Sequence, residues 1–251
     1  MSKQCLFCPN PVDSAEHVWS DWILKDLKPS KPIHIKIGKP AGKWVDNPEA
    51  RIKCVCQKCN NGWMNDIEGE NKPHMLAMMN DKTTVLTPAQ QKLLTRWAIL
   101  KAMVLDGANP KKRIPFYSEP ERVGMKPPSR SLPVGTRTWI GRLSAKAFHA
   151  GLGDTFGKID DIPKGFHGCD TTIIAGHLVI QVVTMHVVPM FATRGLRLGC
   201  KPGAWDVNLL EIWPVFGGKR WPPSSTFTLD RTSSGIGTLV NRFKIGTDIT
   251  K

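Results

Sequence analysis

No apolar run in this chain of 251 residues is long enough to cross a bilayer. The most apolar stretch, Leu178 to Val188, is short and carries Gln181 and His186. The opening Met-Ser-Lys-Gln-Cys lacks the apolar core of a secretory signal. There is no internal repeat and no low-complexity tract. The cysteine count of 7 is odd, which fits a reducing compartment better than a disulfide framework. These absences lead to the expectation of a cytoplasmic protein with no membrane association. Acidic residues are also scarce, with 21 Asp+Glu against 35 Lys+Arg and a net charge of +14. The excess is uneven. Residues 1–80 hold 11 Lys+Arg and 9 Asp+Glu, so the remainder carries 24 against 12. A basic excess of this size suits a polyanionic partner, of which nucleic acid, DNA above all, is the usual one.

What is present is concentrated near the start. Cys5-Leu-Phe-Cys8 and Cys56-Gln-Lys-Cys59 are two Cys-x2-Cys pairs, the sequence form of a four-thiolate zinc site. Each short loop lets both of its thiolates turn onto one metal. Cys54-Val-Cys56 offers a competing pair, but the x2 spacing favours Cys56 with Cys59. Cys54, Cys169 and Cys200 are left as small buried hydrophobes. Between the pairs lies Glu16-His17, and Asn60 follows the last cysteine directly.

This constellation resembles the HNH, or ββα-metal, endonucleases, in particular the subset stapled by a zinc outside the active site. The resemblance covers about a quarter of the chain. It implies a hydrolase in which His17 is the general base that activates water. It further implies one Mg²⁺, held by Glu16 and Asn60, that touches the scissile phosphate of DNA. Hard oxygen ligands suit magnesium as thiolates suit zinc, so the module would hold two metals with separate tasks. An imidazole suits the base because its ordinary pKa, roughly 6.5, lies near working pH. The sequence departs from the family pattern by Glu in place of Asp before the histidine. Its nearest central asparagine is Asn47, a candidate brace for the His17 loop.

In chain order, Pro9-Asn10-Pro11 closes the first knuckle, and Val12 to Val18 reads as a short strand. Ser20-Asp21 opens a short helix to Leu27. Ile33, Ile35 and Ile37 alternate with polar residues as a half-buried strand, and Trp44-Val45 and Arg51 to Val55 add further strand. A helix is expected from Asn60 through Ile67, and a second short one over Pro73 to Met79. Thr87-Pro88 starts a longer helix, whose stripe of Leu93, Trp97, Leu100 and Val104 runs to about Asp106-Gly107. That helix is the expected junction between domains. Ala108 to Gly135 reads as a long proline-rich basic loop. Strands are expected over Thr136 to Leu143, Thr171 to Ile174, His177 to Val188 and Leu209 to Val215, with a helix over Ser144 to Leu152.

The expectation is therefore an α+β protein in two parts: a zinc-bound HNH-like module over residues 1–80 and a basic, β-rich domain over 81–251 that grips phosphates. Two other classes fit the same residues. One is a non-catalytic zinc-binding DNA adaptor, and the other a protein-interaction module with purely structural zinc. Trp19, Trp22, Trp44 and Trp63 are expected to build core around the knuckles. Asn61 and Glu68 read as helix-surface groups.

Overall fold

A computed structural model describes residues 3–29, 33–37, 43–45, 50–107, 115–159, 162–186, 196–200, 209–227 and 243–247. The first part of the chain gives β1 (Ser14–His17), α1 (Asp21–Leu27), β2 (Ile33–Ile37), β3 (Lys43–Val45) and β4 (Arg51–Val55). α2 (Gln57–Cys59) passes through a helical turn kinked at Gly62 (Asn60–Met64) into α3 (Asn65–Met79). Then come β5 (Thr84–Leu86), α4 (Pro88–Gly107) and α5 (Glu119–Gly124). The β-rich remainder is β6 (Thr136–Ile159), β7 (Ile162–His186), β8 (Leu196–Cys200), β9 (Leu209–Trp213), β10 (Lys219–Trp221), β11 (Thr226–Phe227) and β12 (Phe243–Thr247). The protein is mixed α+β, and among the described residues no helix is long and apolar enough to cross a membrane.

β1 and β4 pair antiparallel, with His17 opposite Arg51, and the helical run follows at once. This is a ββα unit whose two strands are separated in sequence by α1, β2 and β3. The helix starts follow local chemistry. Thr87 and Gln90 cap α4 reciprocally: Gln90 N donates to Thr87 Oγ1 at 3.3 Å and Thr87 N to Gln90 Oε1 at 2.7 Å. Pro88 fills the first helical position, where no N–H is needed.

Several sequence expectations are corrected. Pro73 does not open a second helix; it sits inside α3, which is continuous from Asn65 to Met79. Ser144 to Leu152 is not a helix but the middle of β6, because Ala147 to Leu152 pair with Thr171 to Gly176 of β7. Pairing with β7 overrides the local sequence there. The two expected strands around Gly176 are one strand, bent where Gly176 takes φ +61. A Cβ at that position would lie 2.4 Å from the Met79 carbonyl, so the close approach of β7 to the end of α3 requires glycine. The loop expected over Ala108 to Gly135 contains α5, started by a capping box between Ser118 and Glu121.

α4 is more deeply covered than its apolar stripe implies. Every side chain from Leu94 to Asp106 is buried, so the helix is surrounded by the rest of the fold. It packs against α3, β4, β6, β7 and β9 and is the centre of one core. Packing does not break at residue 80. β2 and β3 join the six-stranded sheet built on β6, and Trp19 Nε1 donates to the Ile174 carbonyl at 3.1 Å.

Candidate metal centre and strand end

The two knuckles come together as their spacing implies. Cys5 N donates to the Asn10 carbonyl at 2.8 Å and closes the first turn; Leu6 N donates to the Cys54 carbonyl at 2.9 Å and lays that turn along β4. The sulfurs of Cys5, Cys8, Cys56 and Cys59 all lie within 4.8 Å of one another. Cys8 Sγ is 3.5 Å from Cys56 Sγ and 3.6 Å from Cys59 Sγ. A tetrahedron with metal–sulfur bonds of about 2.3 Å has edges of roughly 3.8 Å, so the cluster can hold a metal such as zinc. Backbone N–H groups already face the ligands, with Phe7 N 3.5 Å and Cys56 N 3.2 Å from Cys5 Sγ. Such donors spread thiolate charge in zinc sites. Cys54 is no part of the cluster. Burial pushes its thiol up to about 12, which keeps it protonated.

Around this centre the packing is aromatic and cationic. Phe7 of the first knuckle meets Trp63, after the second, edge to face with centroids 5.1 Å apart. Arg122 and Lys126, from α5 and the residues after it, donate to the Leu6 and Phe7 carbonyls at 2.8 and 3.3 Å. Neither cation was identified from the sequence, which carries no local sign of an interaction across more than a hundred residues.

At the end of β1 the expected magnesium ligands part company. Glu16 is buried, and its Oε1 accepts a hydrogen bond from the Lys101 ammonium of α4. Lys101, itself 1% exposed, also donates to Glu68 Oε1 at 2.7 Å and to the His17 carbonyl at 2.8 Å. All three ammonium protons are thus used. Ser20, expected as a helix cap, instead gives its hydroxyl to Glu68 Oε1 at 2.5 Å. Burial works to lower the Lys101 pKa, but the adjacent Glu16 and Glu68 carboxylates outweigh it and hold the ammonium charged. Glu68 is therefore not the surface group that its sequence position implies.

Asn60 lies on the helical run beside β1. Its Nδ2 donates to Ser14 Oγ at 2.9 Å and to the Ala15 carbonyl at 3.2 Å, so it braces the strand against the helix start. His17 keeps 19% of its side chain exposed, and its Nε2 lies 3.0 Å from Asp21 Oδ1 on the first turn of α1. Asn47 lies outside the described residues. The magnesium implied by the resemblance does not fit Glu16 as arranged, because its oxygen faces a buried ammonium; Asn60 commits its amide nitrogen to bracing the neighbouring strand. Among the described residues, the four cysteines form the one cluster with metal-ligand geometry.

Beside this cluster the unit presents three exposed cations. Arg51 and Lys53 alternate on the exposed side of β4, and Lys58 is exposed in α2. The chemistry on offer is thus a thiolate metal site, a histidine–carboxylate pair at a strand end, and basic groups beside both. Comparisons with family models, curated proteins and solved structures found no match to this chain.

Proposed function

We propose that this protein is a zinc-stapled DNA-binding adaptor that keeps the ββα frame and uses it for contact rather than catalysis. The reading rests on the exposed Arg51, Lys53 and Lys58, set on a unit whose strands and helix are tied by the four cysteines. Two cations on one strand face and a third on the following helix offer phosphate contacts along a backbone. The net charge of +14 supplies the long-range attraction. Closure of Glu16 onto Lys101 removes a negative charge that would oppose phosphate.

Fluorescence anisotropy with a labelled DNA duplex, titrated across salt, tests this. Affinity falls steeply with salt, and each of Arg51→Ala and Lys53→Ala lowers the logarithmic salt slope by about 1. A slope unchanged in both variants removes these residues from the interface.

A second reading is hydrolytic and is favoured by one observation, the 3.0 Å approach of His17 Nε2 to Asp21. Once aligned for a hydrogen bond, a carboxylate at that distance would orient the imidazole as a general base for water at a bound phosphodiester. Plasmid nicking by the purified protein that is abolished by His17→Ala, with DNA binding retained, would put this reading first.

A further inference from the structure

We propose that the Lys101 ammonium is the resident cation of the β1 end, standing where the resemblance would put a divalent ion on Glu16, so that this site is organised without a divalent metal. The inference does not depend on what the protein binds. The surroundings of Lys101 Nζ are those of a small cation cage: Glu16 Oε1, Glu68 Oε1 at 2.7 Å and the His17 carbonyl at 2.8 Å, all oxygens and all converging. Ser20 Oγ donates at 2.5 Å to the same Glu68 oxygen and holds that carboxylate in place. Oxygen donors of this kind, two of them carboxylates, are what hard divalent cations take. Here an ammonium on a four-carbon stem fills the place, delivered by the central helix and sealed from solvent.

The geometry also explains why an ion cannot share the cage. Lys101 Nζ has its three donors committed to three oxygens, and a divalent ion would have to enter against that charge. Glu68 reaches the cage from α3, Glu16 and His17 from β1, and Lys101 from α4. The cation thus joins three elements, as a structural metal would, but is covalently retained and cannot be removed by a chelator.

Manganese serves as the probe, with zinc-loaded protein in divalent-free buffer. Binding is followed by electron paramagnetic resonance and by the effect of Mn²⁺ on the melting temperature. The wild type shows no Mn²⁺ binding that Glu16→Gln abolishes, and its melting temperature does not respond to Mn²⁺. Lys101→Ala vacates the cage, binds Mn²⁺ and is stabilised by it, and Lys101→Ala/Glu16→Gln loses both responses. Wild-type Mn²⁺ binding that disappears in Glu16→Gln overturns the proposal. So does a Lys101→Ala protein that retains zinc and native circular dichroism yet ignores Mn²⁺. If Lys101→Ala fails to fold even with Mn²⁺ present, the cage does not accept an ion in place of the ammonium, and the proposal falls as well.

Discussion

Replacing Lys101 by Met tests how much stability the buried ammonium carries. Methionine keeps the length of the side chain and its apolar contact with the core. What it removes is the charge between two carboxylates that remain buried, Glu16 with 5% and Glu68 with 17% of the side chain exposed. Losing one partner of a buried ion pair costs about 3–5 kcal/mol, because the other charge is left uncompensated. For a protein of this size each kcal/mol moves the melting temperature by about 2–4 °C, so the expected drop is roughly 6–20 °C. Glu16→Gln leaves Lys101 paired one to one with Glu68 and should cost less, about 1–2 kcal/mol. The double variant Lys101→Met/Glu16→Gln should recover part of the loss, with a coupling of about 0.5–3 kcal/mol. Urea unfolding followed by tryptophan fluorescence, with zinc saturating, gives all four values. A Lys101→Met protein within about 0.5 kcal/mol of wild type would refute the reasoning, since surface substitutions behave that way. A double variant no more stable than Lys101→Met would show that Glu16 is not the stranded charge.

Further outcomes follow from other parts of the fold. Cys56→Ser should lower the zinc content and destabilise the ββα unit, whereas Cys54→Ser should retain the metal; metal analysis of the two purified variants separates ligand from neighbour. Arg142 grips Asp81 through Nε and Nη2, at 2.7 and 2.5 Å, and these bonds chiefly hold the Asp81 carboxyl below its ordinary range. A depressed carboxylate stabilises the fold above its unfolded pKa of about 3.9 and loses that contribution as pH falls through the folded value. Asp81→Asn should therefore cost about 1 kcal/mol near neutrality, with the gap to wild type closing below about pH 4. Gly176→Ala puts a methyl group against the Met79 carbonyl at a positive φ, and a loss of at least about 1–2 kcal/mol in chemical denaturation is expected.

The four-cysteine cluster was legible because a Cys-x2-Cys pair is a local object, and two of them leave little choice of partner. The helix start at Thr87 was legible for the same reason, since its reciprocal cap with Gln90 acts within one turn. The fate of Glu16 was not. Its adjacency to His17 suggests a shared task, but alternate strand residues face opposite ways, and the partner that claims it lies 85 positions on. A clue did exist: Lys101 stands inside Trp97-Ala-Ile-Leu-Lys-Ala-Met-Val-Leu105, a cation in an otherwise apolar run. A lysine there must find carboxylates or leave the core. The all-round burial of α4 was not legible, because an apolar stripe on a helix records that one face is buried without showing that the others are too. In the same way, Ser144 to Leu152 shows its strand character only beside β7.

The position of Lys101 in the chain also bears on how the protein is made. Synthesis proceeds at about 5–20 residues per second, so Glu16 waits roughly 4–17 s before its partner is even polymerised. During that interval the knuckles can collect their metal, yet the strand between them still carries a carboxylate meant for the interior. Trp19 and Ile23, destined to be covered completely, are likewise without the helix and sheet that cover them. All four cysteines of the nascent amino-terminal segment thus precede the helix and sheet that cover it. Final closure belongs to the moment when α4 and β6 arrive from the ribosome, and a release at residue 80 would leave a fragment with its sticky interior turned outward.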